Sequence, residues 1–166
     1  MNIDAIKDRL ALLEAGGVDS ESQPVAGITN IKRAYAQGPA SLPESDMPLF
    51  VNFTGPTLSF QNIGGIFYRE KRQFNCRLYV APVQKGIDGE AERKVEPFIE
   101  PCMRQFLKHA SLGDGEAADL IAGIFTFTYL GDTGITVLNY ANTPYLGVEF
   151  RVAVEAVIEQ EYATLE

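Results

Sequence analysis

Histidine, cysteine, basic residues and long apolar runs are all scarce in this chain, and each scarcity removes a class of function. A single histidine, His109, allows no His-based metal pair and no Ser-His-Asp arrangement. Two cysteines, Cys76 and Cys102, are too few for a disulfide framework. Both fall in apolar registers, so buried free thiols are expected. No apolar window approaches 18 residues, so no membrane-spanning helix is expected. The segment Met1–Asp8 lacks a basic stretch followed by an apolar run, so no secretory signal is expected either. Asn52-Phe53-Thr54 has the spacing of a glycosylation acceptor, which carries no meaning without such a signal. An intracellular product is expected, one that could be built into a particle.

Lys and Arg number 14 against 22 Asp and Glu, a formal charge of −8. Gripping nucleic acid needs clustered cations, and this balance argues against it. It suits a surface that DNA passes without sticking, and it suits plain solubility equally well. Gly64-Gly65 is followed by neither Lys-Ser/Thr nor a helix, so it is no phosphate loop. Gly113-Asp114-Gly115-Glu116 is acidic but lacks the alternating oxygen ligands of a calcium loop. Glu155 and Glu159 lie on the solvent side of an alternating strand, where a solvated face is the simpler reading than acid–base catalysis. No catalytic signature, metal site or cofactor motif is legible, and no enzyme is expected.

What the chain does have is β-structure of unusual reach. Residues 66–81 contain no Gly or Pro and no helical period. Sixteen extended residues span about 50 Å. A compact domain of this size has a radius of gyration near 15 Å, so a width of about 40 Å. Phe74, Cys76, Leu78 and Val80 alternate with Asn75, Arg77 and Tyr79, as in a half-buried strand. From Arg69 to Gln73 both faces are polar. The pattern predicts a strand rooted in the core whose other end projects toward a partner. A second clean alternation runs from Leu146 to Glu159.

Ile3, Ile6, Leu10 and Leu13 form one stripe of a helix over residues 3–15, with Asp4, Lys7, Asp8 and Glu14 off it. Asn2 caps its start and Gly16-Gly17 stop it. Residues 17–29 and 37–48 read as loops, the latter stiffened by Pro39, Pro43 and Pro48. A strand is expected within 30–36. Short strands are expected at 49–54 and 57–61, separated by Gly55-Pro56, with a reversal at Ile63-Gly64-Gly65. Val95, Phe98, Ile99, Cys102, Met103, Phe106 and Leu107 predict a main helix ending near Ala110. Pro97 suits its first turn, Pro101 is expected to bend it or fray its start, and His109 should lie on its exposed C-terminal end. Residues 120–130 and 135–140 are expected to pair through a tight turn at Gly131-Asp132-Thr133-Gly134, and Asn142-Thr143-Pro144 is expected to turn again. The sum is one domain, 1–166, of the α+β class. Its largely antiparallel sheet carries the N-terminal and main helices on one face and extends a β-hairpin arm.

Arg69-Glu70-Lys71-Arg72 is the one local basic run. It is a solvated hairpin tip, an intersubunit or docking contact, or a nucleic-acid grip, the last weakened by the acidity of the rest of the chain. Glu149 and Arg151 present further exposed charge on the last strand.

Together these segments resemble the tail terminator (tail completion) proteins of long-tailed bacteriophages. The likeness lies in a short opening helix, then Ser41-Leu42-Pro43-Glu44-Ser45-Asp46-Met47-Pro48 leading into Leu49-Phe50-Val51. A long strand follows, passing from charged to apolar residues like Arg69 through Val83, then one main helix, a closing hairpin and a long final strand like Tyr145–Ile158. The resemblance implies a structural virion protein and a homohexameric ring. That ring would cap the tail tube protein and meet the neck or connector protein on the head side. DNA would pass through its lumen without specific binding. Assembly would take place in the host cytoplasm. The family supplies no catalytic residues. Interface roles for Arg69, Glu70, Lys71, Arg72, Glu149 and Arg151 rest on the pattern of exposed charge. A head-tail stopper, a tail tube subunit, or a small-molecule-binding or enzymatic α+β domain are the alternatives.

Overall fold

The computed structural model describes residues 1–19, 22–84, 86–109 and 124–160, without the side chains of 124 and 125. It is an α+β fold. The elements in chain order are α1 (Ile3–Ala15), β1 (Gly17–Val18), β2 (Pro24–Val25), β3 (Arg33–Tyr35), β4 (Leu49–Gly64), β5 (Phe67–Pro82), α2 (Gly89–Lys108), β6 (Ile124–Asp132), β7 (Thr136–Tyr140) and β8 (Thr143–Glu159), with one 3-10 turn at Glu44–Asp46.

α1 starts where Asn2 Oδ1 accepts from the Ala5 N–H, at 3.1 Å. It stops at Gly16, whose φ of 76° leaves the helical region. The chain then turns back through the β1–β2 ladder, and the Ile28 N–H bonds the Glu14 carbonyl. The expected loop over 17–29 is therefore anchored, and Ile28 and Ile31 join the core. α2 begins earlier than its apolar stripe suggested. Asp88 caps it through the Ala91 N–H, so Pro97 and Pro101 both lie inside the helix. His109 follows it and is buried, not exposed as expected.

The main sheet has the order β3-β4-β5-β8-β6, with β7 also paired to β8. Among the described residues only the β3–β4 pairing is parallel. β5 is central and pairs with β8 from Phe67↔Glu159 to Pro82↔Tyr145. Two expectations fail here. Residues 49–64 form one strand, not two. Gly55-Pro56 makes a bulge between Thr54 and Thr57 without ending the ladder. A Cβ on Gly55 would lie 2.7 Å from the Gln73 carbonyl, so only glycine permits this approach. Proline is tolerated because β4 is an edge strand beyond Val51.

The second failure concerns β6 and β7, which do not pair with each other. Both lie along β8, β6 from Ala156 to Phe150 and β7 from Gly147 to Thr143. They form one strand interrupted at Thr133–Ile135. The interruption is pinned to β8 by the Thr133 N–H to the Glu149 carbonyl, and by the Glu149 N–H to Thr133 Oγ1. The tight reversal is at Ala141-Asn142, both with positive φ (47° and 65°), as a hairpin turn of the primed type requires.

Alternate residues of β4, β5 and β8 point to opposite faces. Phe50, Phe74, Cys76, Leu78, Val148, Phe150 and Val152 meet α1 and α2. Phe106 of α2 lies at the centre, with ring centroids 5.8–6.4 Å from Phe50, Phe127, Tyr129 and Phe150. On the opposite face Leu49, Val51, Tyr79, Leu138 and Tyr145 are covered by Leu42 and Met47 of the Pro-rich segment.

Candidate interaction site on the arm

The helices and the Pro-rich segment cover the half of the sheet near Leu49, Leu78 and Val148. Beyond Gly55, Gln73 and Ala153 the strands β4, β5 and β8 continue together, with β6 alongside β8 as far as Ala156. The arm is thus four-stranded at its base and three-stranded at its tip, not a bare hairpin. Its turn is built by Gly64 and Gly65 at φ of 130° and 58°, and the Asn62 side chain spans it to the Gly64 N–H and the Gly65 carbonyl.

The six residues expected at an interface divide between the two faces. Arg69, Lys71, Glu149 and Arg151 are on the face away from the helices. Glu70 and Arg72 are on the other. Arg69 lies 3.5 Å from Glu155, an exposed pair of little energetic weight. Lys71 stands directly opposite Glu155 in the register. Glu70 is only 6% exposed. Arg72 donates to it from Nε at 2.8 Å, and Thr57 Oγ1 donates at 3.2 Å. Arg72 Nη1 also reaches the Gly55 carbonyl. This pair therefore clasps the bulge of β4 onto β5. Glu149 is nearly buried. It accepts from Arg77 at 2.7 Å and from Arg151 at 3.2 Å, and the Arg77 guanidinium lies 4.7 Å from the Phe53 ring centre. Arg77 was not expected there, although its place directly opposite Glu149 follows once the β5–β8 register is known.

The apolar surface of the arm was missed. Leu58, Phe60, Ile63 and Phe67 are each 45–56% exposed. The Phe60 ring stacks on Tyr68 at 5.2 Å. Exposed apolar side chains crowded at one end of a molecule mark a contact surface. Covering them would stabilise a complex by about 1 kcal/mol each, about half the value of a full burial. The alternation over 57–61 held the signal, but it was hidden by reading that stretch as a separate short strand.

A second unexpected group lies in the core. Glu14, placed off the apolar stripe of its helix, is fully buried. The returning segment at residues 25–28 and Asn52 of β4 enclose the last turn of α1. Asn52 Nδ2 donates to Glu14 Oε2 at 2.8 Å and to the Tyr35 carbonyl at 3.2 Å. Glu14 Oε1 and Asn52 Oδ1 have no hydrogen-bond partner. Burial pushes the Glu14 carboxyl up to about 8, against a smaller opposing pull from hydrogen bonds with Asn52 and Cys76. Burial, then the nearby Glu14, pushes both the Cys76 and Cys102 thiols up. Asn52 itself is 1% exposed, so its acceptor-like spacing presents no accessible amide.

Two open depressions mark the body. One of about 280 Å³ lies against Asp88, Glu90 and Lys94, and another of about 440 Å³ lies beside Asp8, Lys32 and Arg33. Among the described residues neither lining contains a serine, threonine, cysteine or histidine. Among the described residues no three His, Cys, Asp or Glu side chains are grouped to hold a metal ion. No described helix is long and apolar enough to cross a membrane. The acidic loop at 113–116 lies outside the described residues. No protein-family model matches the chain, and no curated protein matches it.

Proposed function

We propose that this protein is a structural, non-enzymatic subunit of a ring that caps the tail tube of a long-tailed bacteriophage and joins it to the head-side neck. The observation that carries this reading is the arm. An extension that narrows to three strands, with half-exposed Leu58, Phe60, Ile63 and Phe67 at its end, has no use in an isolated globule and invites aggregation unless covered. A ring built by cyclic repetition covers such an extension in every copy with a neighbour. The opening helix, the long strand, the single main helix and the long final strand support the resemblance to tail terminators, whereas the closing hairpin it named is replaced by β6 and β7 lying end to end along β8. The net charge of −8 suits a lumen through which DNA slides, because phosphates find few counter-charges there.

Mass measurement and electron microscopy of the purified protein, alone and mixed with tail tubes, test the reading. Rings of about six times the 18.2 kDa subunit, or rings seated on tube ends, are expected. A monomer that ignores tube ends removes it.

A further inference from the structure

Charge is distributed across this sheet in the reverse of the usual order. Isolated sheets protect their open edges with charged residues, lysine above all, and keep charge out of central strands. Here the central strands hold the charge. β5 carries Arg69, Glu70, Lys71, Arg72 and Arg77, and β8 carries Glu149, Arg151, Glu155 and Glu159. The 16 residues of β4 hold none. β7 also holds none, and β6 holds only Asp132, its last residue. β3 covers β4 only at Leu49–Val51, so Asn52–Gly64 has no partner on that side among the described residues. On the opposite flank no described strand pairs with the outer side of β6 or β7. Among the described residues, five of the nine exposed large apolar ones lie on these two edges: Leu58, Phe60 and Ile63 on β4, Leu130 on β6 and Val137 on β7.

We infer that the β4 edge of one molecule adds to the β6–β7 edge of a second copy of this chain, making one sheet that runs from subunit to subunit. This deepens the ring reading above by naming where subunits meet. The occupant is another copy because a single molecule carries both halves of the match, two partly apolar edges of similar length with Asp132 as their one charge. Direction agrees as well. β4 is antiparallel to β5, which runs parallel to β6, so copies related without inversion of the sheet bring β4 antiparallel to β6 and β7. Antiparallel pairing is the arrangement in the rest of the sheet apart from β3. The two edges differ, so the contact is heterologous and repeats until it closes.

Cysteines placed at Phe60→Cys and Leu130→Cys test the pairing with a short bis-maleimide cross-linker, the native thiols being buried. The double variant should give a ladder of covalent multimers, and each single variant should give none. A Phe60→Lys variant should shift the protein to the monomer position in gel filtration while keeping the far-UV spectrum and melting temperature, since that side chain is exposed. Dimers from the Phe60→Cys variant alone, or a monomer at every attainable concentration, would overturn the inference. A ring of six that yields no ladder from the double variant also overturns it and leaves the phage reading standing. A ladder from particles that are not hexameric and do not cap tubes supports the pairing and removes the phage reading.

Discussion

Replacing Glu14 by Gln should stabilise the protein at neutral pH and leave it nearly unchanged in acid. Glu14 is fully buried between α1, β4 and β5, and its carboxyl is pushed up to about 8 from an ordinary value of 4.5. The folded state therefore holds a proton that the unfolded chain releases. The contribution is fully present below the unfolded value and is lost as pH rises through the folded one. Each unit of difference is worth about 1.4 kcal/mol, so stability falls by about 3 kcal/mol between pH 4.5 and 7 and levels off above pH 8 at a loss of about 5 kcal/mol. Gln is close in shape to the protonated acid and cannot ionise. Its amide offers a donor where Glu14 Oε1 and Asn52 Oδ1 now stand without a hydrogen-bond partner. Urea titrations followed by far-UV circular dichroism at pH 4.5, 6, 7 and 8 measure the difference. The gap between variant and parent should open with pH and reach about 3 kcal/mol at pH 7. A gap that stays constant over the whole range would refute the reasoning, because Glu14 would then ionise alike in both states.

Phe106→Ala empties the centre of the helix-side core and should cost about 3–5 kcal/mol, read from the urea midpoint. Asp88→Ala removes the cap of α2 and should cost about 1 kcal/mol, with the same measurement. Cys76 and Cys102 are buried, with their thiols pushed up, so neither should react with a thiol reagent at pH 8 until denaturant is added, when both should react. Arg69→Glu with Lys71→Glu should weaken assembly, seen by gel filtration, without lowering the melting temperature. Arg72→Glu should lower that temperature, because Arg72 holds the buried Glu70.

The last strand was legible because its alternation extends over more than twelve residues, which local turn residues cannot disguise. β5 was read from its freedom from Gly, Pro and helical period, with alternation only from Phe74 to Val80, and α2 from its apolar stripe. The errors came from turn chemistry read without its tertiary setting. Gly131-Asp132-Thr133-Gly134 has every residue type of a hairpin turn, yet β8 on one side holds the chain nearly straight through it. The tight reversal at Ala141-Asn142 overlaps the turn expected at Asn142-Thr143-Pro144, but it begins at Ala141, which nothing in its side chain advertises as a turn former. Gly55-Pro56 looked like a strand end, but an edge strand lacks the neighbour whose acceptor the missing proline N–H would have met. The burial of Glu14 was illegible for another reason. It depends on residues 25–28 closing over a helix end, which no periodicity within α1 encodes. Of the arm, its reach and its charged run were readable. Which of those charges bind within the subunit depended on knowing the faces of a bulged ladder.

Because β5 runs without a break from the arm's turn to the floor of the helix-covered core, and is laddered on both flanks, the arm behaves as a stiff beam and not as a tether. A tension applied along its length is shared by many backbone hydrogen bonds in shear, so they yield together instead of opening one after another. The strength of such a joint grows with the overlap of the strands.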